Sequence, residues 1–90
     1  MQPDGYGHAI DLAPYIGGIR WELTPQCDVA AAMSQAGHEL GVRLRWGGNW
    51  RMMPRMTSAE AMNAVQAYID RRRKQKRRAF VDAWHFEVRL

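Results

Sequence analysis

"DAWHFEVRL", Asp82 to Leu90, alternates over its last seven residues: Trp84, Phe86, Val88 and Leu90 fall on one side, and His85, Glu87 and Arg89 on the other. Successive side chains of an extended chain point to opposite faces, so a period of two with the large apolar residues on a single side is the pattern of a half-buried strand. The same period recurs twice upstream. In "GHAIDL", His8, Ile10 and Leu12 share one face and Gly7, Ala9 and Asp11 the other; in "VRLRW", Val42, Leu44 and Trp46 alternate with Arg43 and Arg45 before the glycine turn "GGNW". "PYIGG" reads as a turn, and Ile19 to Glu22 as a short extended piece.

Between the strands the period changes to that of a helix. Thr24 followed by Pro25 reads as an N-cap and first helical residue, Val29, Met33, Ala36 and Leu40 form one apolar stripe, and Gly41 supplies the stop, with Gly37 a weak point inside. A second helix is expected from about Ser58, where Thr57 and Glu60 have capping-box spacing and Ala61, Val65, Tyr68 and Ile69 share a side. It runs into "RRRKQKRR", Arg71 to Arg78, whose positive charges suit a helix C-terminus. The fold class is therefore α+β: a small antiparallel sheet with two helices packed around it.

The 90 residues, 47% hydrophobic and 24% charged, suit one small domain, and the nine aromatic residues supply enough apolar area to argue against disorder. The single Cys27 forms no internal bridge. No stretch approaches the ~20 apolar residues that cross a bilayer, and "MQPDGYG" lacks the pattern of an export signal, so a soluble chain, cytoplasmic as synthesised, is expected. The net charge of +4 comes from the basic run. Such a run favours acidic partners. It carries no interleaved aromatic residues on which bases stack, so anionic envelope polymers fit it better than nucleic acid.

Two strands expose a metal-competent side chain opposite their apolar residues, Asp11 on the first and His85 on the last. Paired in one sheet, the two converge, and the small Gly7 and Ala9 leave room beside Asp11. Asp82, three residues before His85, is placed to reach water on the same ion. Taken singly, Asp11 is more ordinarily a turn cap or a partner of arginine, and His85 a satisfied edge histidine. His8 is read as a packing residue, His38 as solvent-facing, and Trp46, Trp50 and Trp84 as core or pocket wall.

"GHAID", the distant "RWGGNW" and the terminal "DAWHFEV", in that order, resemble the zinc peptidases of the hedgehog/DD-peptidase fold, which include D-alanyl-D-alanine carboxypeptidases and phage endolysins cutting L-alanyl-D-glutamate bonds. That family's first motif is Ser-x-His-x-x-Gly-x-Ala-x-Asp, and Gly7, Ala9 and Asp11 match its second half. Its last motif, an acidic residue, two others and a histidine, is matched by Asp82 and His85. The resemblance implies that Asp11 and His85 bind zinc and that Asp82 is the general base. Counted back without a gap, the family's first zinc histidine falls on Asp4 and its serine on Gln2; if "QPDGY" is a longer loop, that histidine lies before Met1. Asp4 is then the candidate third ligand, a harder donor than imidazole. Asn49 stands where "RWGGDW" is commoner.

The resemblance implies a single peptidase-like domain over residues 1–90, lacking the family's N-terminal portion. It implies a metal-dependent hydrolase of peptidoglycan stem peptides, an endopeptidase or a carboxypeptidase, from a bacteriophage or prophage and acting at the cell wall after release. Two rivals stay open: a non-catalytic relative that binds cell wall, and a small basic nucleic-acid-binding domain.

Overall fold

Antiparallel pairing brings the three period-two segments into one sheet. The computed structural model describes residues 6–13, 15, 18 and 22–89. In chain order the elements are β1 (Tyr6–Asp11), α1 (Leu23–Leu40), β2 (Arg43–Trp46), β3 (Arg51–Met52), α2 (Ser58–Lys74) and β4 (His85–Arg89). The sheet order is β1-β4-β2-β3, so the C-terminal strand lies at the centre.

Register sorts the side chains into two faces. Ile10, Phe86 and Trp46 are neighbours across three strands, as are Val88 and Leu44 across two; between those rows lies a row of Ala9, Glu87 and Arg45, and Asp11 sits directly opposite His85. Facing residues in a ladder share a face. One side of the sheet is thus apolar and covered by the helices, with Phe86 and Trp46 fully buried against Cys27 and Ala30 of α1 and Ala61 and Val65 of α2. Burying a side chain such as Phe86 contributes about 1.5–3 kcal/mol. The other side carries the polar row.

The helices differ in how well their ends were anticipated. The α2 capping box is present in full: the Glu60 N–H donates to the Thr57 hydroxyl at 3.2 Å and the Thr57 N–H to the Glu60 carboxylate at 3.0 Å. In contrast, α1 begins at Leu23, with Glu22 and not Thr24 at the N-cap, so Pro25 is its third residue. A proline is accommodated there because the first turn has no intrahelical use for its N–H.

Of the expected α1 stripe, Val29 and Met33 pack half-buried against the core, but its other two members do not. Leu40 is 77% exposed and Ala36 is exposed, whereas Cys27, Ala30, Ala31, Ser34 and Gly37 face inward. Small residues let the helix lie close to the sheet. A β-carbon on Gly37 would stand 3.0 Å from Leu44 Cδ1 and 3.1 Å from the Val42 carbonyl oxygen, so this glycine is an approach point and not a defect. The Ser34 hydroxyl donates to the Ala31 carbonyl (2.8 Å) and accepts from the Met56 N–H (3.1 Å), fixing the segment before α2. Strand β3, two residues long, was not anticipated. Residues 14, 16 and 17 of the "PYIGG" turn, residues 19–21 of the extended piece, the side chain of His8 and Leu90 lie outside the described residues.

Candidate metal centre

Three elements deliver the site: the end of β1, the first residue of β4, and the loop before it. Asp11 and His85 are register partners, and Asp11 Oδ1 lies 3.1 Å from His85 Nδ1. Asp82 joins them, so that one ligand atom from each of Asp11, Asp82 and His85 lies within 4.8 Å of the others. Asp11 is exposed; Asp82 and His85 are half-buried. Asp4 and Gln2 lie outside the described residues.

The loop holding Asp82 is fastened from three directions. Gly47, at the end of β2, donates its N–H to the His85 carbonyl (2.9 Å) and accepts at its own carbonyl from the Asp82 N–H (2.9 Å). Trp46 donates its indole N–H to the Ala83 carbonyl (2.6 Å). From α1, the fully buried Gln26 donates through its amide to the carbonyls of Leu12 (2.9 Å) and Ala83 (3.0 Å), tying the end of β1 to the same loop. "RWGGNW" is therefore a cradle for the site. Within it, the Asn49 side chain accepts from the Arg51 N–H at 3.2 Å, a turn-closing bond that the more usual aspartate can also accept.

Trp50 is held in the left-handed region, φ 59°, an unusual conformation for a bulky residue. Its contacts offset that strain. The indole N–H donates to the Phe80 carbonyl (2.8 Å), the ring stacks on Phe80 at 6.0 Å, and the His85 ring lies 5.6 Å away. Trp50 is thus a wall of the site, Trp46 is core, and Trp84 is half-buried with its carbonyl accepting from the Leu12 N–H. His38 is exposed, as expected.

The electrostatics suit a cation. Burial raises the Asp82 carboxyl, the neighbouring Asp11 raises it further, and His85 pulls it partly back. Burial by itself depresses His85, but its hydrogen bonds to Glu87 and Asp11 and the charges of Glu87 and Asp82 outweigh that, and the net direction is upward. Asp82 Oδ1 is buried with no hydrogen-bond partner. An orphaned carboxylate oxygen beside a second carboxylate and an imidazole is a donor set that fits a divalent ion with oxygen and nitrogen ligands. Glu87, which sequence reasoning placed on this face without a role, closes the far side of His85, its Oε1 lying 2.9 Å from Nε2. A cavity of about 330 Å³ between the end of α1, β2 and β3, lined in part by His38, Arg43, Met52 and Arg55, includes none of these residues.

With this geometry in hand, known proteins give a consistent picture. The family of phage L-alanyl-D-glutamate peptidases matches residues 4–88. The chain belongs to that family. The L-alanyl-D-glutamate peptidase of Escherichia phage T5 is 52% identical over 46 residues, a stretch that takes in 49% of this chain and 34% of the phage T5 protein. The match thus spans about a third of that relative's length. No solved structure matches the chain. Among the described residues, no helix is long and apolar enough to cross a membrane.

Proposed function

We propose that the chain is a zinc-dependent peptidase domain that hydrolyses peptidoglycan stem peptides at the L-alanyl-D-glutamate bond. The observation that carries this reading is the convergence of Asp11, Asp82 and His85 in a chain of this family. In it, Asp11 and His85 hold the ion, Asp4 is the third protein ligand on the strength of the motif alone, and Asp82 is the general base. Zinc supplies a Lewis acid and lowers the pKa of water to about 7. Asp82 takes the water proton and returns it to the leaving amine; a carboxyl raised by burial is better matched to that exchange near neutral pH than an ordinary one. Trp50 and Phe80 form an aromatic wall beside His85 against which a peptide can lie.

The reading extends to place. The site of action is the bacterial cell wall, reached after release from the cell in which the protein is made. The basic run Arg71 to Arg78, with Arg73, Lys74, Lys76, Arg77 and Arg78 exposed, is suited to anionic envelope polymers, an attraction that weakens as salt rises.

The test is digestion of a synthetic stem peptide containing L-alanyl-D-glutamate, followed by mass spectrometry, with zinc, with a chelator, and with Asp11→Ala and His85→Ala. Cleavage that needs zinc and both side chains is expected. Cleavage that survives chelation and both substitutions refutes the metal-dependent reading. Zinc binding without cleavage favours the non-catalytic, wall-binding relative.

A further inference from the structure

His85 has two ring nitrogens, and the structure gives each a different neighbour. Nδ1 faces Asp11 at 3.1 Å, and Asp82 converges on the same two side chains. Nε2 faces Glu87 Oε1 at 2.9 Å. Glu87 is two residues on along the same strand face, and its side chain is only 13% exposed. Its second oxygen lies 3.5 Å from Arg45 Nη1 on β2, and the Arg45 guanidinium sits 5.4 Å over the Trp50 ring while its Nε donates to the Trp50 carbonyl at 3.2 Å. The register partner of Glu87 on β1 is Ala9, whose methyl group does not compete for the carboxylate.

We infer that Glu87 is the positioning residue of the metal centre: it holds the His85 proton on Nε2 and so turns the Nδ1 lone pair toward the ion shared with Asp11. The inference rests on the metal-centre reading above. A neutral imidazole carries one N–H, and the nitrogen opposite a fixed acceptor keeps its lone pair free for metal. With the proton on Nδ1 instead, the Nε2 lone pair would face a carboxylate in a half-buried setting, which is repulsive. Arg45 holds the Glu87 carboxylate in place through its 3.5 Å contact, and the Trp50 ring beside His85 limits rotation of the imidazole. A carboxylate partner also makes the ligating nitrogen a stronger donor.

The experiment is zinc titration by calorimetry of the unmodified chain, Glu87→Ala, Glu87→Gln, Asp11→Ala and His85→Ala, with ¹⁵N NMR of the His85 ring in the zinc-loaded protein. Loss of such a partner weakens metal binding about 10–100-fold, and Glu87→Ala is expected to fall in that range. Glu87→Gln should lose less, because its amide oxygen still accepts from Nε2 without the charge that strengthens the bond. This variant keeps the side chain's shape and serves if Glu87→Ala does not fold. In the unmodified protein the ring should carry zinc on Nδ1 and the proton on Nε2. Zinc affinity unchanged in both Glu87 variants, or zinc on Nε2, overturns the inference while leaving the metal centre standing. Zinc binding that is equal in the unmodified chain, Asp11→Ala and His85→Ala overturns the metal centre itself, and the inference with it.

Discussion

Gly47→Ala tests whether the cradle sets the site. A β-carbon at Gly47 would stand 2.2 Å from the Asp82 carbonyl oxygen and 3.1 Å from both the Asp82 carbonyl carbon and His85 Cβ. The nearest obstacles are backbone atoms, which cannot swing aside as a side-chain tip can, so the loop carrying Asp82 must leave β2. That displacement strains the Gly47–His85 and Asp82–Gly47 backbone hydrogen bonds. Overpacking costs about 1–3 kcal/mol and each of the two bonds about 0.5–1.5 kcal/mol, giving a loss of about 2–6 kcal/mol. For a domain of this size each kcal/mol lowers Tm by about 4–8 °C, so a fall of at least ~8 °C is expected by circular dichroism. Zinc affinity should fall as well, since Asp82 and His85 move away from Asp11. The control is Gly41→Ala at the end of α1, where φ is 68° and no atom lies within 4 Å of the added carbon. It carries backbone strain alone, about 1 kcal/mol, and should leave zinc binding untouched. A Gly47→Ala protein with unmodified Tm and zinc affinity would refute the claim that this glycine seats the loop.

Asp82→Asn should lower peptide hydrolysis by about 10²–10⁴-fold while zinc content, measured by atomic absorption, stays near that of the unmodified chain; equal loss of both would make Asp82 a ligand and not the base. Gln26→Ala removes the amide donor to Leu12 and Ala83; the Ala83 carbonyl keeps the Trp46 indole, so the loss is that of the Leu12 partner and one of two bonds at Ala83, about 1–3 kcal/mol, readable as a lower urea midpoint. For the metal-free chain, the raised His85 stabilises the fold fully below the unfolded value near 6.5 and loses that contribution as pH rises through its higher folded value. Tm should therefore drop on going from pH 6 to pH 8, and His85→Gln should flatten the drop. Cys27, 1% exposed and with its thiol raised first by burial and then by Asp28, should react with a thiol reagent only on the timescale of unfolding; rapid labelling of the folded chain would contradict the packing of α1.

The three longer strands and both helices were legible because each carries a period, and the pairing of Asp11 with His85 followed once their faces were assigned. What escaped has physical reasons. Two residues, Arg51 and Met52, are too few to show alternation. The inward face of α1 is written in Ala30, Ala31, Ser34 and Gly37, which have little hydrophobic signal, while the conspicuous Leu40 lies in water; close approach to Leu44 selected small residues over large ones. Glu87 was visible as a neighbour of His85 on one strand face, about 6–7 Å along the chain, but that spacing does not say which ring nitrogen a carboxylate meets. The signal that was available is the pattern His-x-Glu at the start of a strand behind Asp82. The cradling role of "RWGGNW" was hidden for a different reason: its contacts to Ala83, Asp82 and His85 are made largely through backbone atoms, which leave no mark in residue type except the two glycines.

That scaffold explains how the acidic cluster is held together. Asp11 and Asp82 place two carboxylates beside one imidazole whose far nitrogen meets the Arg45-paired Glu87, and the two carboxylates repel each other unless something positive sits between them. Buried Trp46 and Gln26 and the Gly47 backbone hold the loop in place against that repulsion, using groups that carry no charge and do not depend on the occupant. The residual imbalance appears in the groups themselves: Asp82 holds its proton more readily than a free carboxyl, and His85 more readily than a free imidazole. In acid, protons supply the missing positive charge. As pH rises through their raised values those protons leave, and the same cluster becomes a ready set of oxygen and nitrogen donors. A fold that spends its core contacts on fixing an unbalanced anionic cluster is accounted for if a cation completes it, since a merely structural cluster would be cheaper as an apolar patch.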